Sequence, residues 1–304
     1  MSNRIIKIGT RDSELALWQA HTVAEKINKL GIETEIVAVK STGDIILDKP
    51  LYELGITGIF TKTLDLAMLD GKIDIAVHSM KDVPTTLPKG IMQAAVLERA
   101  NVNDILVLNS SNYDFSSINI IATGSLRRKA QWLHRYPHHE IVDLRGNVNS
   151  RLQKLENNQW NGAIFAQAGL ERINLLPTKT ISLDWMLPAP AQGAMMVVAL
   201  ENDLFSIEVI KQLNDRETEI CTQIERDFLK TLEGGCSAPI GALATIEREQ
   251  INFTGNIFSL NGNEKASITK NCNLNDFKNF GKHCALELLE LGAREIMKNI
   301  NKQL

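Results

Sequence analysis

The chain has 304 residues, 44% of them hydrophobic and 23% charged, with a net charge of −3 at neutral pH. That length suits two or three domains, and the balance is that of a globular protein, not a disordered or fibrous one. A slightly acidic total gives no bulk attraction to nucleic acid or to an anionic membrane, so any affinity for anions must come from local clusters of Arg and Lys. No apolar run approaches the ~18 residues of a membrane span. Only three residues precede the first apolar strand pattern, which predicts no signal peptide. The four cysteines, Cys221, Cys236, Cys272 and Cys284, show no CxxC and no zinc or disulfide spacing, and acids and histidines do not fall at metal-ligand spacings. The expectation is a cytoplasmic enzyme with reduced thiols and no metal.

In chain order, a short buried strand is predicted over 4–10, then a helix over 12–30 with Leu15, Leu17, Trp18, Val23 and Ile27 apolar and Gly31 as its stop. A strand over 33–41 follows. The segment 42–58 holds Gly43, Pro50, Gly55 and Gly58 and reads as a long loop. A helix over 61–69 and a strand over 73–77 complete a βαβαβ pattern, which predicts a parallel sheet. The pattern restarts: strand 118–123, helix 125–136, strand 140–144, helix 147–157, strand 162–166. Two local echoes accompany it, "IGTRDSELALWQ" with "IATGSLRRKAQW" and "DIAVHSMKD" with "GAIFAQAGL". They point to two similarly built α/β domains whose ligands bind at the carboxyl ends of strands. Beyond residue 200 the character changes to a helix over 217–231, a turn-rich "LEGGCSAPIGA", strands over 241–247, 250–257 and 265–270, and a final helix over 275–300. That describes a smaller α+β domain.

Three groups of residues stand out chemically. Arg127 and Arg128 fall in the first turn of a predicted helix, where the helix dipole disfavours cations. Together with Arg11, Arg145 and Arg151 they read either as an anion site, since guanidinium forks pair with carboxylate or phosphate, or as a solvated basic face. Ser79, Lys81 and Asp82 follow a hydrophobic strand. The Lys–Asp neighbours are either a surface ion pair or a carboxylate placed to stabilise a cation and move a proton. His78, alternating with Val77 on that strand, reads as a packed histidine. Cys236 follows Gly234 and Gly235 and precedes Pro239, so it is either a small buried hydrophobe on a tight turn or an accessible thiol able to form a thioether or act as a nucleophile. Neither GxGxxG nor GxxxxGK[ST] occurs.

The motifs "TRDSELALWQA" (10–20), "HSMKDVP" (78–84), "SLRR" (125–128), "LRGNV" with Arg151 following, "PAPAQGA" (188–194) and "LEGGC" (232–236) occur in order along nearly the whole chain. Together they resemble the porphobilinogen deaminase family, also called hydroxymethylbilane synthases. The resemblance implies two periplasmic-binding-protein-like α/β lobes, 1–98 with 194–212 and 99–193, plus a C-terminal α+β domain, 215–304. It implies a transferase that condenses four porphobilinogen molecules into linear hydroxymethylbilane, in tetrapyrrole biosynthesis. Cys236 would hold a dipyrromethane cofactor by a thioether, and Asp82 would stabilise the cation formed as ammonia leaves. Arg11, Lys81, Arg127, Arg128, Arg145 and Arg151, with Ser13, Ser79, Thr123 and Ser125, would bind acetate and propionate groups. Gln19 and Gln192 match further binding positions, and Phe60 an aromatic over the cleft. The family implies a monomer. The alternative readings are a two-lobed solute-binding or sensor protein and a nucleic-acid binder using the Arg-rich helix. The acidic net charge and the lack of interleaved aromatics argue against a nucleic-acid partner, and the lack of a long apolar run against a membrane. Four positions depart from the family pattern: Thr57 where Lys is common, Thr63 where Glu is common, Gly124 where Ser or Thr is frequent, and Ala191 where Gly is frequent.

Overall fold

A computed structural model describes residues 4–39, 61–110, 113–232 and 238–303. The described elements begin with β1 (Ile6–Arg11), α1 (Glu14–Asn28), β2 (Thr34–Val39), α2 (Lys62–Leu69), β3 (Ile75–Ser79), β4 (Ile91–Val96) and β5 (Asp104–Leu108). They continue with β6 (Ile120–Ala122), α3 (Leu126–Arg135), β7 (Glu140–Val142), α4 (Val148–Asn157), β8 (Gly162–Ala166), α5 (Gln167–Arg172) and β9 (Thr180–Ser182). After β10 (Met195–Leu200) come α6 (Leu204–Lys211), α7 (Arg216–Thr231), β11 (Ile240–Glu247), β12 (Gln250–Phe258), β13 (Lys265–Asn273), α8 (Phe280–Leu288) and α9 (Arg294–Gln303).

Two compact units result. Among the described residues the first holds 4–39, 61–100 and 193–219, and the second the described parts of 101–192 and 220–303. The first contains a five-stranded sheet ordered β2-β1-β3-β10-β4, and the second a five-stranded sheet ordered β7-β6-β8-β5-β9. These are the same arrangement twice. β1 runs parallel to β2 and β3, as β6 does to β7 and β8. β10 is antiparallel to β3 and β4, as β5 is to β8 and β9. The sequence echoes therefore sit on corresponding elements, β1–α1 with β6–α3 and β3 with β8.

The expected α/β fold class is present, but the sheets are mixed and not purely parallel. The antiparallel strands follow directly on the crossings of the chain between units, at 100/101 for β5 and 192/193 for β10. They are distant in sequence from their partners, so a local βαβ period cannot announce them. Burial explains the rest of the first lobe. Ile75, Ala76 and Val77 are each at most 3% exposed on a strand covered on both faces, and α1 packs Ala20, Val23 and Ile27 into the same core.

The smaller C-terminal sheet is an antiparallel meander, β11-β12-β13. Its core joins Phe228 of α7 to Phe253 of β12, ring centroids 5.0 Å apart in an edge contact. The single final helix expected over 275–300 is in fact two helices. Gly292, at φ 110°, occupies a left-handed conformation that no continuous right-handed helix admits, so α8 and α9 are separate.

Candidate functional site

In each lobe the parallel strands end on one edge, and many of the residues singled out by sequence lie on or just beyond the elements that end there. In the first lobe, β1 ends at Arg11 and Ser13 is the N-cap residue of α1. β3 ends at Ser79, and Met80–Asp82 makes one tight turn beyond it. That turn is fixed by Met80 N–H donating to Ala194 O at 3.0 Å and Val83 N–H to Met80 O at 3.1 Å. Lys81 and Asp82 project from it half-buried. Gln19, 2% exposed, donates its Nε2 to Ser79 Oγ at 2.9 Å, so it orients a hydroxyl at the strand end. His78, paired in register with Met196, is 6% exposed. Burial, and secondarily the Arg11 charge, push its pKa down to about 4, so it is a neutral packed histidine at physiological pH.

In the second lobe, Thr123 follows β6 and its Oγ1 accepts from Ser125 N–H at 3.3 Å. Ser125 caps α3, its Oγ accepting from Arg128 N–H at 3.5 Å. Arg145 lies just beyond β7, 7% exposed, with burial lowering its pKa. Asn147 caps α4 by accepting from Ser150 N–H at 2.9 Å. Arg151, one turn into that helix, donates Nε to Gly146 O at 2.7 Å, and Lys154 donates to Arg145 O at 3.1 Å.

Arg127 and Arg128 are 4% and 5% exposed. They do not form a solvated face. Both turn to the wholly buried Asp104: Arg128 Nε and Nη2 donate to Oδ1 at 3.1 and 2.7 Å, and Arg127 Nη1 lies 2.7 Å from Oδ2. Arg128 Nη1 also donates to Ile164 O at 2.9 Å, and Arg127 Nη1 to Leu187 O at 2.8 Å. Gln192, 1% exposed, donates Nε2 to Asp104 Oδ1 at 3.0 Å and to Val102 O at 2.7 Å. Two guanidiniums share one carboxylate, which leaves one net positive charge in a desolvated position. Burial accordingly lowers the Arg127 pKa, against the pull of Asp104.

The family description "Porphobilinogen deaminase, dipyromethane cofactor binding domain" matches residues 6–208, and "Porphobilinogen deaminase, C-terminal domain" matches residues 219–290. The chain belongs to the porphobilinogen deaminase family. It is 40% identical to the porphobilinogen deaminase of Campylobacter hominis, over 96% of this chain and 97% of that one. Identity is 41% to that of Moorella thermoacetica, over 98% and 97%, and 42% to that of Campylobacter jejuni, over 96% and 97%. Among solved structures, the methionine binding protein MetQ aligns with a TM-score of 0.46 at 14% identity, covering 70% of this chain and 90% of that one.

Against the family pattern, Gly124 has a local reason in this chain. A Cβ there would lie 2.5 Å from Leu144 O, so the β6–α3 turn approaches the β7 end more closely than a side chain allows. Ala191 has φ 62°, a left-handed conformation that costs a non-glycine residue about 1–2 kcal/mol. It is held by its own N–H donating to Glu225 Oε2 at 2.6 Å, while Ala244 N–H donates to Oε1 at 2.8 Å. Thr63 is half-buried in the first turn of α2, and nothing in the structure explains the substitution. Cys236, Phe60 and Thr57 lie outside the described residues.

Sequence reasoning missed Asp104 and Glu225. Both are 0% exposed acids bordering apolar segments, a faint signal in "NDILVL" and "EICTQIERDF". An acid that cannot reach solvent needs buried partners, but which partners is decided by topology alone.

Proposed function

We propose that this chain is a hydroxymethylbilane synthase. It removes ammonia from four porphobilinogen molecules and joins them head to tail into linear hydroxymethylbilane. The observation that carries this is the family match along both 6–208 and 219–290; Arg11, Lys81, Asp82, Arg127, Arg128, Arg145, Arg151 and Cys236 fall in or beside the motifs that resemble the family's. We also propose the layout 1–98 with 194–212, 99–193, and 215–304 as three domains, acting as a monomer in the cytoplasm with porphobilinogen as its small-molecule partner.

The family's dipyrromethane would be held by a thioether to Cys236. When bound, it supplies the nucleophilic pyrrole carbon on which the chain is extended. Its acidic side chains fit the second lobe, where the Arg127–Arg128–Asp104 group has one positive charge in excess and where Arg127 Nε is buried without a hydrogen-bond partner among the described residues. Arg145 and Arg151 extend that basic edge, and Arg11 and Lys81 supply cations in the first lobe. Each added pyrrole brings two carboxylates, so a growing product accumulates negative charge and needs this many donors.

Asp82 carries the reacting charge. As the carbon–nitrogen bond of porphobilinogen's protonated aminomethyl group breaks and neutral ammonia departs with the bonding pair, the positive charge passes to the carbon and is conjugated with the pyrrole nitrogen. A carboxylate ~4 Å away at an effective dielectric of ~20 stabilises it by about 4 kcal/mol. The same carboxylate would then be placed to accept the proton released once the rings are joined. The rigid turn that bears Asp82 keeps it in place through each cycle.

The test is incubation of the purified chain with porphobilinogen, with ammonia release and the porphyrin formed from the product both measured. Intact mass should also show two pyrrole units bound, and Cys236→Ser should lack them. A fully active preparation whose Cys236 is a free thiol would sink the cofactor assignment, and absence of porphobilinogen consumption would sink the function.

A further inference from the structure

We infer that Asp104 is a positioning residue of this reaction: it holds the Arg127–Arg128 pair in one orientation and leaves a single positive charge, on Arg127, for the substrate or product carboxylates. The inference rests on the functional reading above and concerns the same basic edge. Asp104 is the first residue of β5 and pairs with Ala166, the last residue of β8. Because β5 runs antiparallel to β8, its start lies on the edge where the parallel strands end. The chain thereby delivers a carboxylate to an edge otherwise populated by arginines.

The hydrogen bonds divide the work between the two arginines. Arg128 spends Nε and Nη2 on Asp104 Oδ1 and Nη1 on Ile164 O, so all three of its nitrogens point inward. It is a neutralised strut. Arg127 meets Asp104 and Leu187 O through Nη1, while its buried Nε has no hydrogen-bond partner among the described residues. Two adjacent guanidiniums, each at most 5% exposed, repel strongly in a low dielectric without a shared anion. With Asp104 they are fixed, and the net +1 is held with little reorganisation left to do when an anion binds. Gln192 Nε2 donates to the same Oδ1, tying the "PAPAQGA" segment to the cluster.

The experiment is steady-state kinetics on the cofactor-loaded enzyme, with loading checked by intact mass and folding by thermal unfolding. The proteins compared are wild type, Asp104→Asn, Asp104→Glu, Arg127→Lys and the double variant Asp104→Asn/Arg127→Lys. Asp104→Asn keeps the shape and removes the charge. It should raise KM for porphobilinogen about tenfold with kcat within about threefold, in the range expected for coupling within one ion-pair network. Asp104→Glu, which restores the charge, should recover KM to within about threefold of wild type. With Arg127→Lys already present, Asp104→Asn should add less than about twofold. A KM for Asp104→Asn within twofold of wild type overturns the role of Asp104. So does an increase of equal size in both Arg127 backgrounds, which is what a purely structural acid would give. Should Asp104→Asn fail to fold, a KM for Asp104→Glu more than about tenfold above wild type at full loading overturns it too. Wild-type protein that does not consume porphobilinogen overturns the functional reading itself, an outcome separate from wild-type turnover with an unaffected Asp104→Asn.

Discussion

Acidification to pH ~5 should destabilise the first lobe through His78, and the size of that contribution follows from its burial. An unfolded histidine has a pKa of about 6.5, whereas His78 in the folded sheet titrates at about 4, chiefly because burial penalises the imidazolium and secondarily because Arg11 repels it. Between those two values the unfolded chain binds a proton that the folded chain does not. Stability from this group is therefore complete above pH ~6.5 and is lost progressively as pH falls toward ~4. At pH 5 the difference amounts to about 2 kcal/mol, and over the whole window to about 3 kcal/mol. The measurement is urea unfolding of wild type and His78→Gln at pH 7 and pH 5, comparing the change with pH and not the absolute stabilities. His139 also has its pKa lowered by burial, and its Nδ1 accepts from Trp132 Nε1–H at 3.1 Å. It adds acid sensitivity to both proteins and cancels in the comparison. Wild type should lose about 2 kcal/mol more than the variant. Equal losses, or an imidazole of His78 that titrates above pH 6 by NMR, would refute the reasoning.

Other expectations bear on chemistry and on packing. Asp82→Asn should retain the covalent pyrrole units and fold normally but turn over 10²–10³-fold more slowly, the loss expected when a few kcal/mol of charge stabilisation disappears; turnover within threefold of wild type would remove Asp82 from the chemistry. Phe228→Ala should cost about 3–5 kcal/mol of C-terminal domain stability, since Phe228 is wholly buried against Phe253. Denaturant unfolding followed by circular dichroism measures it, and a loss below about 1 kcal/mol would contradict the packing described.

Much of this protein is written locally. The apolar spacing predicts α1, with Val23 and Ile27 buried as expected, although Leu15, Leu17 and Trp18 are only half-buried and Ala16 and Ala20 complete the core face. The apolar run 162–166 predicts β8 with its bounds unchanged. The motifs containing Asp82, Arg127, Arg145 and Cys236 carry the family by themselves. Three things were settled only in three dimensions. β5 and β10 join their sheets antiparallel because the chain crosses between units immediately before them, a long-range pairing that no local period encodes. Gly292 divides the last helical stretch because one residue adopts a left-handed φ, although the apolar spacing continues past it. The two first-turn arginines, ambiguous in sequence, are buried in the structure, and their counter-charge comes from Asp104, more than twenty residues earlier in the chain. Sequence determines which charges a protein owns. Which of them share a desolvated space, and therefore how much charge is left over for a ligand, is a property of the tertiary fold, because electrostatic energy depends on distance and burial and not on order along the chain.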